Sequence, residues 1–177
     1  MAQMMLMGLA LMLSVSFDME AASWRSVNDG VMGGLSSGGI VRDGEHLVFT
    51  GDLSLENNGG FSSVRRTVDR DLSGASKVRI QVRGDGRTYQ FRIRHNNRFD
   101  GVAWRAPFAT NGEWQTIEIA LNRFAPVFRG RSVAGAGPVV PSDIQQIGFL
   151  LADKNAGRFR LEIRRIEFIG PDDATVP

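Results

Sequence analysis

Hydrophobic and polar residues alternate with a period of two through most of the chain from Leu47 onward, the pattern of strands that bury one face. In residues 77–84, Val78, Ile80 and Val82 fall on one side and Lys77, Arg79, Gln81 and Arg83 on the other. Residues 89–94 repeat this, with Tyr89, Phe91 and Ile93 opposite Gln90, Arg92 and Arg94. The intervening GDGR, residues 84–87, predicts a hairpin turn. Further strands are predicted around Ile117, Ile119 and Leu121, in the apolar run 147–153, and around Phe159, Leu161 and Ile163. The last one continues into Ile166 and Phe168, so its parity changes across Arg164 and Arg165. One extra residue there, a β-bulge, keeps both halves facing the core. Helical signals are confined to residues 19–24 and 141–147. Many short strands, glycine-rich connections and few helices predict an all-β single domain, a sandwich or a barrel.

Composition narrows the chemistry. At 177 residues the chain is expected to form one domain with a core of its own. It has no cysteine, which removes disulfides, thiolate metal sites and a cysteine nucleophile. The formal net charge is +2, and Lys77 and Lys154 are the only lysines. The arginines look scattered along the sequence and interleaved with acids, without the basic stripe that nucleic-acid binding needs. Residues 4–15 are almost wholly apolar but too short to span a bilayer. Ser14-Val15-Ser16 resembles a signal cleavage site, yet no basic residue precedes Arg25. Two readings of residues 1–15 stay open, a cleaved leader or a buried first strand. The first places the protein in a bacterial periplasm and the second in the cytoplasm. Residues 16–170 form the expected domain and 171–177 a polar tail.

No catalytic unit is apparent. His46 and His95 are the only histidines, and no nucleophile-elbow sequence is present. No spaced ligand cluster or cofactor motif occurs, so no metal and no cofactor are expected. Asp100 with Asn96 and Asn97, and Asp69 with Asp71, are oxygen-rich, but Asx-rich turns account for both groups. The stretch VNDGVMGGLSSGG, residues 27–39, is neither a P-loop nor a dinucleotide fingerprint. Its Gly30, Gly33 and Gly34 suit positive φ or close backbone approach, and Asn28 and Asp29 can cap a turn. The stretch NRFAPVFRGR, residues 122–131, reads as a loop in which Phe124 and Phe128 bracket Pro126. Arg129 and Arg131 could grip an anion or pair with Asp29, tying the two stretches together. Residues 153–159 read as a hairpin turn.

Several ordered blocks carry a family resemblance. Residues 24–36 (WRSVNDGVMGGLS), 49–65, 89–94 with 104–108, 114–131 and 147–163 resemble the successive motifs of the complex I intermediate-associated protein 30 family. The resemblance runs from Phe17 to about Gly170. It implies a galactose-binding-like jelly-roll β-sandwich. It also implies a non-catalytic assembly factor or chaperone, as the mitochondrial members are for NADH:ubiquinone oxidoreductase. The partners implied are complex I subunits or assembly intermediates, with membrane contact only indirect and no nucleic acid. The chain lacks the long arginine-rich presequence of mitochondrial members, and its arginine-heavy usage suggests a bacterial source. Two kinds of surface follow. A protein-binding patch would use Met32, Phe124, Phe128, Arg129 and Arg131, beside Asn28, Asp29, Gly33 and Gly34. A carbohydrate-binding module, the alternative, would use Trp104, Tyr89, Arg92 and Arg94 on a concave sheet or loop rim. Exposure of Trp104 beside arginine separates the two.

Overall fold

A computed structural model describes residues 13–171. The leader reading of residues 1–15 falls mostly outside them, as does the polar tail beyond Pro171. The described residues form a jelly-roll sandwich of two antiparallel sheets. The first sheet runs β3 (Ser37–Asp43), β4 (His46–Leu53), β13 (Gly157–Ile169), β6 (Lys77–Gly84) and β9 (Gln115–Ala120). The short β1 (Ser14–Ser16) pairs with the far end of β13. The second sheet runs β11 (Arg131–Ser132), β10 (Ala125–Phe128), β8 (Ala103–Ala109), β7 (Thr88–Arg94), β12 (Gln146–Leu151), β5 (Ser62–Thr67) and β2 (Arg25–Asn28). The helical signals become single 3-10 turns, Ala21–Ser23 and Pro141–Asp143.

The period-two pattern decides what lies between the sheets. Val78, Ile80, Val82, Phe91, Ile93, Phe149, Leu161, Ile163, Ile166 and Phe168 are all fully buried. Phe91 meets Phe149 edge-on at 5.2 Å within its own sheet and Phe168 of the facing sheet at 6.4 Å, so one ring joins both layers. The parity change in β13 is the expected bulge. Ile163 pairs with Val82, but the next partner of β6, Gln81, meets Arg165. Arg164 is the extra residue, and Ile163 and Ile166 both point inward.

The face of the first sheet turned away from the core is neutralised by its own acids. Glu118 accepts from Lys77 Nζ at 3.0 Å and Arg79 Nε at 2.7 Å. Glu162 accepts from Arg83 and from Arg160 Nη2, the latter at 2.9 Å, and Glu167 from Arg165 at 3.1 Å. The Arg83 hydrogen bond outweighs burial and, with Arg160, pulls the Glu162 carboxyl from 4.5 to about 2. A folded-state value below the unfolded one gives stability that is complete above pH 4.5 and lost as pH falls toward 2. Glu162→Gln should therefore flatten the acid limb of a plot of thermal midpoint against pH, with the midpoint near neutrality lowered.

Candidate functional site

The second sheet carries its charges differently. Alternation sends Ile147, Phe149 and Leu151 of β12 into the core and turns Gln146, Gly148 and Leu150 the other way. Register then assembles a row across five strands. Arg25 of β2 neighbours Arg65 of β5, Arg65 neighbours Gly148 of β12, Gly148 neighbours Arg92 of β7, and Arg92 neighbours Arg105 of β8. At about 4.8 Å per strand the row is about 19 Å long. Arg94, two residues beyond Arg92, adds a fifth guanidinium on the same face. The arginines that look scattered in sequence are thus gathered on one surface, because strand pairing is non-local.

Three of these arginines, Arg65, Arg92 and Arg94, line a groove of about 490 Å³. Its floor includes Arg65, Arg92, Arg94, Ala103, Val127 and Leu150, and its rim includes Val31, Met32, Phe61, Phe99 and Arg129. Val31 and Met32 are each 58% exposed and Phe99 56%. Arg65 lies 5.9 Å from the Phe99 ring centre, within cation–π range. Asp100 is the one acid among the lining residues, and Arg129 Nη2 already holds it at 2.7 Å.

None of the five arginines makes an ion pair with a carboxylate among the described residues. Their acceptors are neutral. Arg65 donates to the Phe99 carbonyl at 2.8 Å, Arg92 to Gln90 Oε1 at 3.0 Å and Arg94 to the Gly101 carbonyl at 2.8 Å. Each guanidinium carries five N–H donors, so most of the hydrogen-bonding capacity is left over. Burial, then repulsion from Arg94 and Arg105, pushes Arg92 from the ordinary guanidinium range down to about 9. Burial, then Arg94 and Arg25, pushes Arg65 to about 10. Burial lowers Arg94 as well. These groups stay protonated near neutrality, so the cost is held as destabilisation that an incoming anion relieves.

Beneath them sits Gln146, 1% exposed, with neither Oε1 nor Nε2 hydrogen-bonded among the described residues. It lines a crevice of about 20 Å³ together with Arg65, Arg92, Arg94 and Gly148. An unpartnered buried amide is costly. Here it faces the same place as the unneutralised charge. Gly148 lets this arrangement close, since a Cβ there would sit 2.4 Å from the Val64 carbonyl oxygen and 3.4 Å from Arg65 Cγ. Gly148→Ala should cost about 2 kcal/mol through overpacking of β12, measurable by urea unfolding.

The glycine-rich stretch builds one wall. Asp29 is fully buried. Its Oδ1 accepts from Ser36 N–H at 2.9 Å, and its Oδ2 from Ser36 Oγ at 2.5 Å, Gly60 N–H at 2.6 Å and Phe61 N–H at 3.3 Å. Burial alone would raise this carboxyl, but these hydrogen bonds outweigh it and hold it below the usual carboxylate range. Gly34 and Gly59 make room for the carboxylate. Their Cβ positions would lie 2.4 Å from Asp29 Cγ and 2.5 Å from Oδ2. Gly33, at φ +86, closes the 3-10 turn Asp29–Met32. Asn28 donates to the Gly38 carbonyl at 3.0 Å and accepts from Ser62 Oγ at 2.7 Å. The stretch is therefore a structural lock that presents Val31 and Met32 to the groove.

Three expectations need correction. Asp29 contacts neither Arg129 nor Arg131. Its oxygens are filled by Ser36, Gly60 and Phe61, while Arg129 pairs with Asp100. Both stretches do line the one groove, from opposite edges of the sheet. Residues 125–132 are a strand hairpin, with Arg129 at φ 47 and Gly130 at φ 78 making a two-residue turn between β10 and β11. Phe124 is core at 5% exposure, whereas Phe128 and Arg131 are exposed. Finally, Trp104 is not exposed. It is buried, donates from Nε1 to the Gly137 carbonyl at 3.0 Å and stacks on His95 at 4.0 Å. Tyr89 is also buried, its hydroxyl donating to Asp85 at 2.9 Å. Neither ring can receive a sugar face. Arg92 and Arg94 lie on β7 and line the groove. Arg25, Arg65 and Arg105 were missed.

The suggested catalytic and cation groups have other occupations. His95 Nε2 accepts from Val140 N–H at 3.1 Å, and His46 packs against Trp114. Asn96 and Asp71 accept the N–H two residues on, from Arg98 and Ser73, as Asx turns do. Among the described residues no three acids or histidines converge as metal ligands.

Residues 15–163 match the family described as Complex I intermediate-associated protein 30. The chain belongs to that family. The mouse (Mus musculus) mitochondrial Complex I intermediate-associated protein 30 is 34% identical over 110 residues, which cover 59% of this chain and 33% of the mouse protein. A probable counterpart from Caenorhabditis elegans is 29% identical over 146 residues, covering 79% of this chain and 42% of its own. The chain thus spans less than half the length of these curated relatives. Among solved structures, a family 11 carbohydrate-binding module from Clostridium thermocellum, in complex with a β-1,3-1,4-mixed-linked tetrasaccharide, superposes with a TM-score of 0.69 at 21% identity. That match covers 91% of this chain and 98% of the module. A family 29 carbohydrate-binding module superposes with a TM-score of 0.57 at 12% identity, covering 94% and 99%. At such identities the likeness concerns the fold alone.

Proposed function

We propose that the protein is a non-catalytic protein-binding module that works as an assembly factor for respiratory complex I, holding a subunit or assembly intermediate in the arginine-lined groove. The observation that carries this reading is a row of five arginines that make no ion pair with an acid among the described residues, three of them lining a groove with an apolar rim of Val31, Met32 and Phe99. Arginine, methionine and aromatic residues are the types enriched where proteins meet. Membership of the family supplies the class of partner. The burial of Trp104 and Tyr89 removes the two aromatic faces expected to stack on a glycan and leaves Phe99 as the exposed ring at the groove.

The test is co-purification from solubilised membranes of the native host, comparing wild type with Arg65→Gln/Arg92→Gln. Complex I subunits, identified by mass spectrometry, should be retained by wild type and fall at least about tenfold in the variant. Equal retention would remove the groove from the interaction. Retention of no subunit, with tight binding to a glycan array, would replace the reading by the carbohydrate one.

A further inference from the structure

We infer that the occupant of the groove is an extended segment of a protein partner rich in aspartate or glutamate, its carboxylates seated on Arg65 and Arg92 on either side of Gly148. This rests on the reading of the groove as a protein-docking surface, and it specifies the chemistry of what docks.

Charge complementarity carries the inference. The protein has acids enough to neutralise arginines and does so on its first sheet, where Glu118, Glu162 and Glu167 each hold a basic partner. On the second sheet Arg25, Arg65, Arg92, Arg94 and Arg105 share one face and make no ion pair with a carboxylate among the described residues, the nearby Asp100 being paired with Arg129. The buried and unpartnered Gln146 amide at the same spot offers a further donor and acceptor. Guanidinium forks match carboxylates bidentately, and burial strengthens each such pair by lowering the local dielectric.

The rest of the groove argues for a peptide rather than another anion. Val31, Met32, Phe61, Phe99, Val127 and Leu150 offer apolar contacts alongside the charges. A peptide supplies carboxylates and apolar side chains together, whereas a uronate chain supplies no apolar side chains. Alternate side chains of an extended strand recur about 6.8 Å apart. Arg65 and Arg92 are anchored two strand spacings apart, about 9.6 Å, and their flexible stems close that difference. Gly148 between them leaves the floor open for a main chain to approach.

The probe is a labelled short peptide with glutamate at alternate positions and leucine among the residues between, titrated in low salt and followed by fluorescence anisotropy. Its comparators are the same peptide with glutamine for glutamate, inorganic phosphate as competitor, and polygalacturonate as an acidic glycan. The glutamate peptide should bind at least about tenfold more tightly than the glutamine peptide, and Arg65→Gln/Arg92→Gln should weaken it about 100-fold. Arg165→Gln, on the other sheet, should leave it unchanged. Phosphate should compete only weakly. Equal binding of both peptides, an equal loss in Arg165→Gln, or a preference for polygalacturonate would each overturn the inference. If the peptides bind alike while complex I subunits still co-purify through Arg65 and Arg92, the acidic-segment inference fails and the docking reading stands. If the subunits are not retained either, both fail.

Discussion

Asp29→Ala should lower the thermal midpoint by about 10 °C without changing the assembled fold at room temperature. The side chain is fully buried and accepts four hydrogen bonds from three residues in two separate stretches of the chain. Truncation leaves the N–H groups of Ser36 and Gly60 without acceptors, and opens a hole beside Gly34 and Gly59. Losing a buried charged acceptor of this kind costs about 4 kcal/mol, and in a domain of this size each kcal/mol moves the midpoint about 2–4 °C. Asp29→Asn should fall between. It keeps an oxygen for Ser36 N–H but sets an amide donor against the donors that converge on Oδ2. The acid limb adds a second signature. The folded carboxyl lies below its unfolded value, so its contribution is complete above the ordinary carboxylate range and is lost as pH falls through it. The wild-type advantage over Asp29→Asn should shrink with acidification. Differential scanning calorimetry across pH reads both effects. A midpoint unchanged in Asp29→Ala would show that the loop stands without its central carboxylate.

Much of this architecture is legible in the chain, and the part that is not has one physical cause. Period-two alternation placed β6, β7, β9 and β13 and even the bulge at Arg164, because each depends only on neighbours in sequence. Trp104 could have been assigned to the core on the same ground, since it shares parity with Ala106 and Phe108. The arginine row could not be read this way. Arg25, Arg65, Arg92 and Arg105 come from four strands, and only the pairing register brings them into line. The glycines of residues 30–34 drew attention to a ligand site, but their partner is internal. Gly34 makes room for Asp29, and the other half of the Asp29 lock, Gly59 to Phe61, lies some thirty residues away. A sequence signal for the site did exist, one outward arginine on each of several strands that carry no outward acid.

Removing two of those arginines should make the protein more stable and less able to bind. Arg65 and Arg92 are half-buried among like charges, and their hydrogen-bond acceptors among the described residues are neutral carbonyls. Arg65→Gln/Arg92→Gln removes the repulsion at the loss of two modest hydrogen bonds. The net gain should be about 1 kcal/mol, raising the midpoint about 3 °C. Residues that cost stability to keep are those held for a ligand. Sulfate or phosphate should stabilise the wild type by binding the folded state and have a smaller effect on the variant.

The decisive comparison is therefore the thermal midpoint of wild type and Arg65→Gln/Arg92→Gln in low-salt buffer free of multivalent anions, taken together with their binding of the glutamate peptide. An anion-receiving groove predicts a variant that melts higher and no longer binds. A variant that melts lower, with binding intact, would mean that the arginines hold the sheet together and that the partner docks elsewhere.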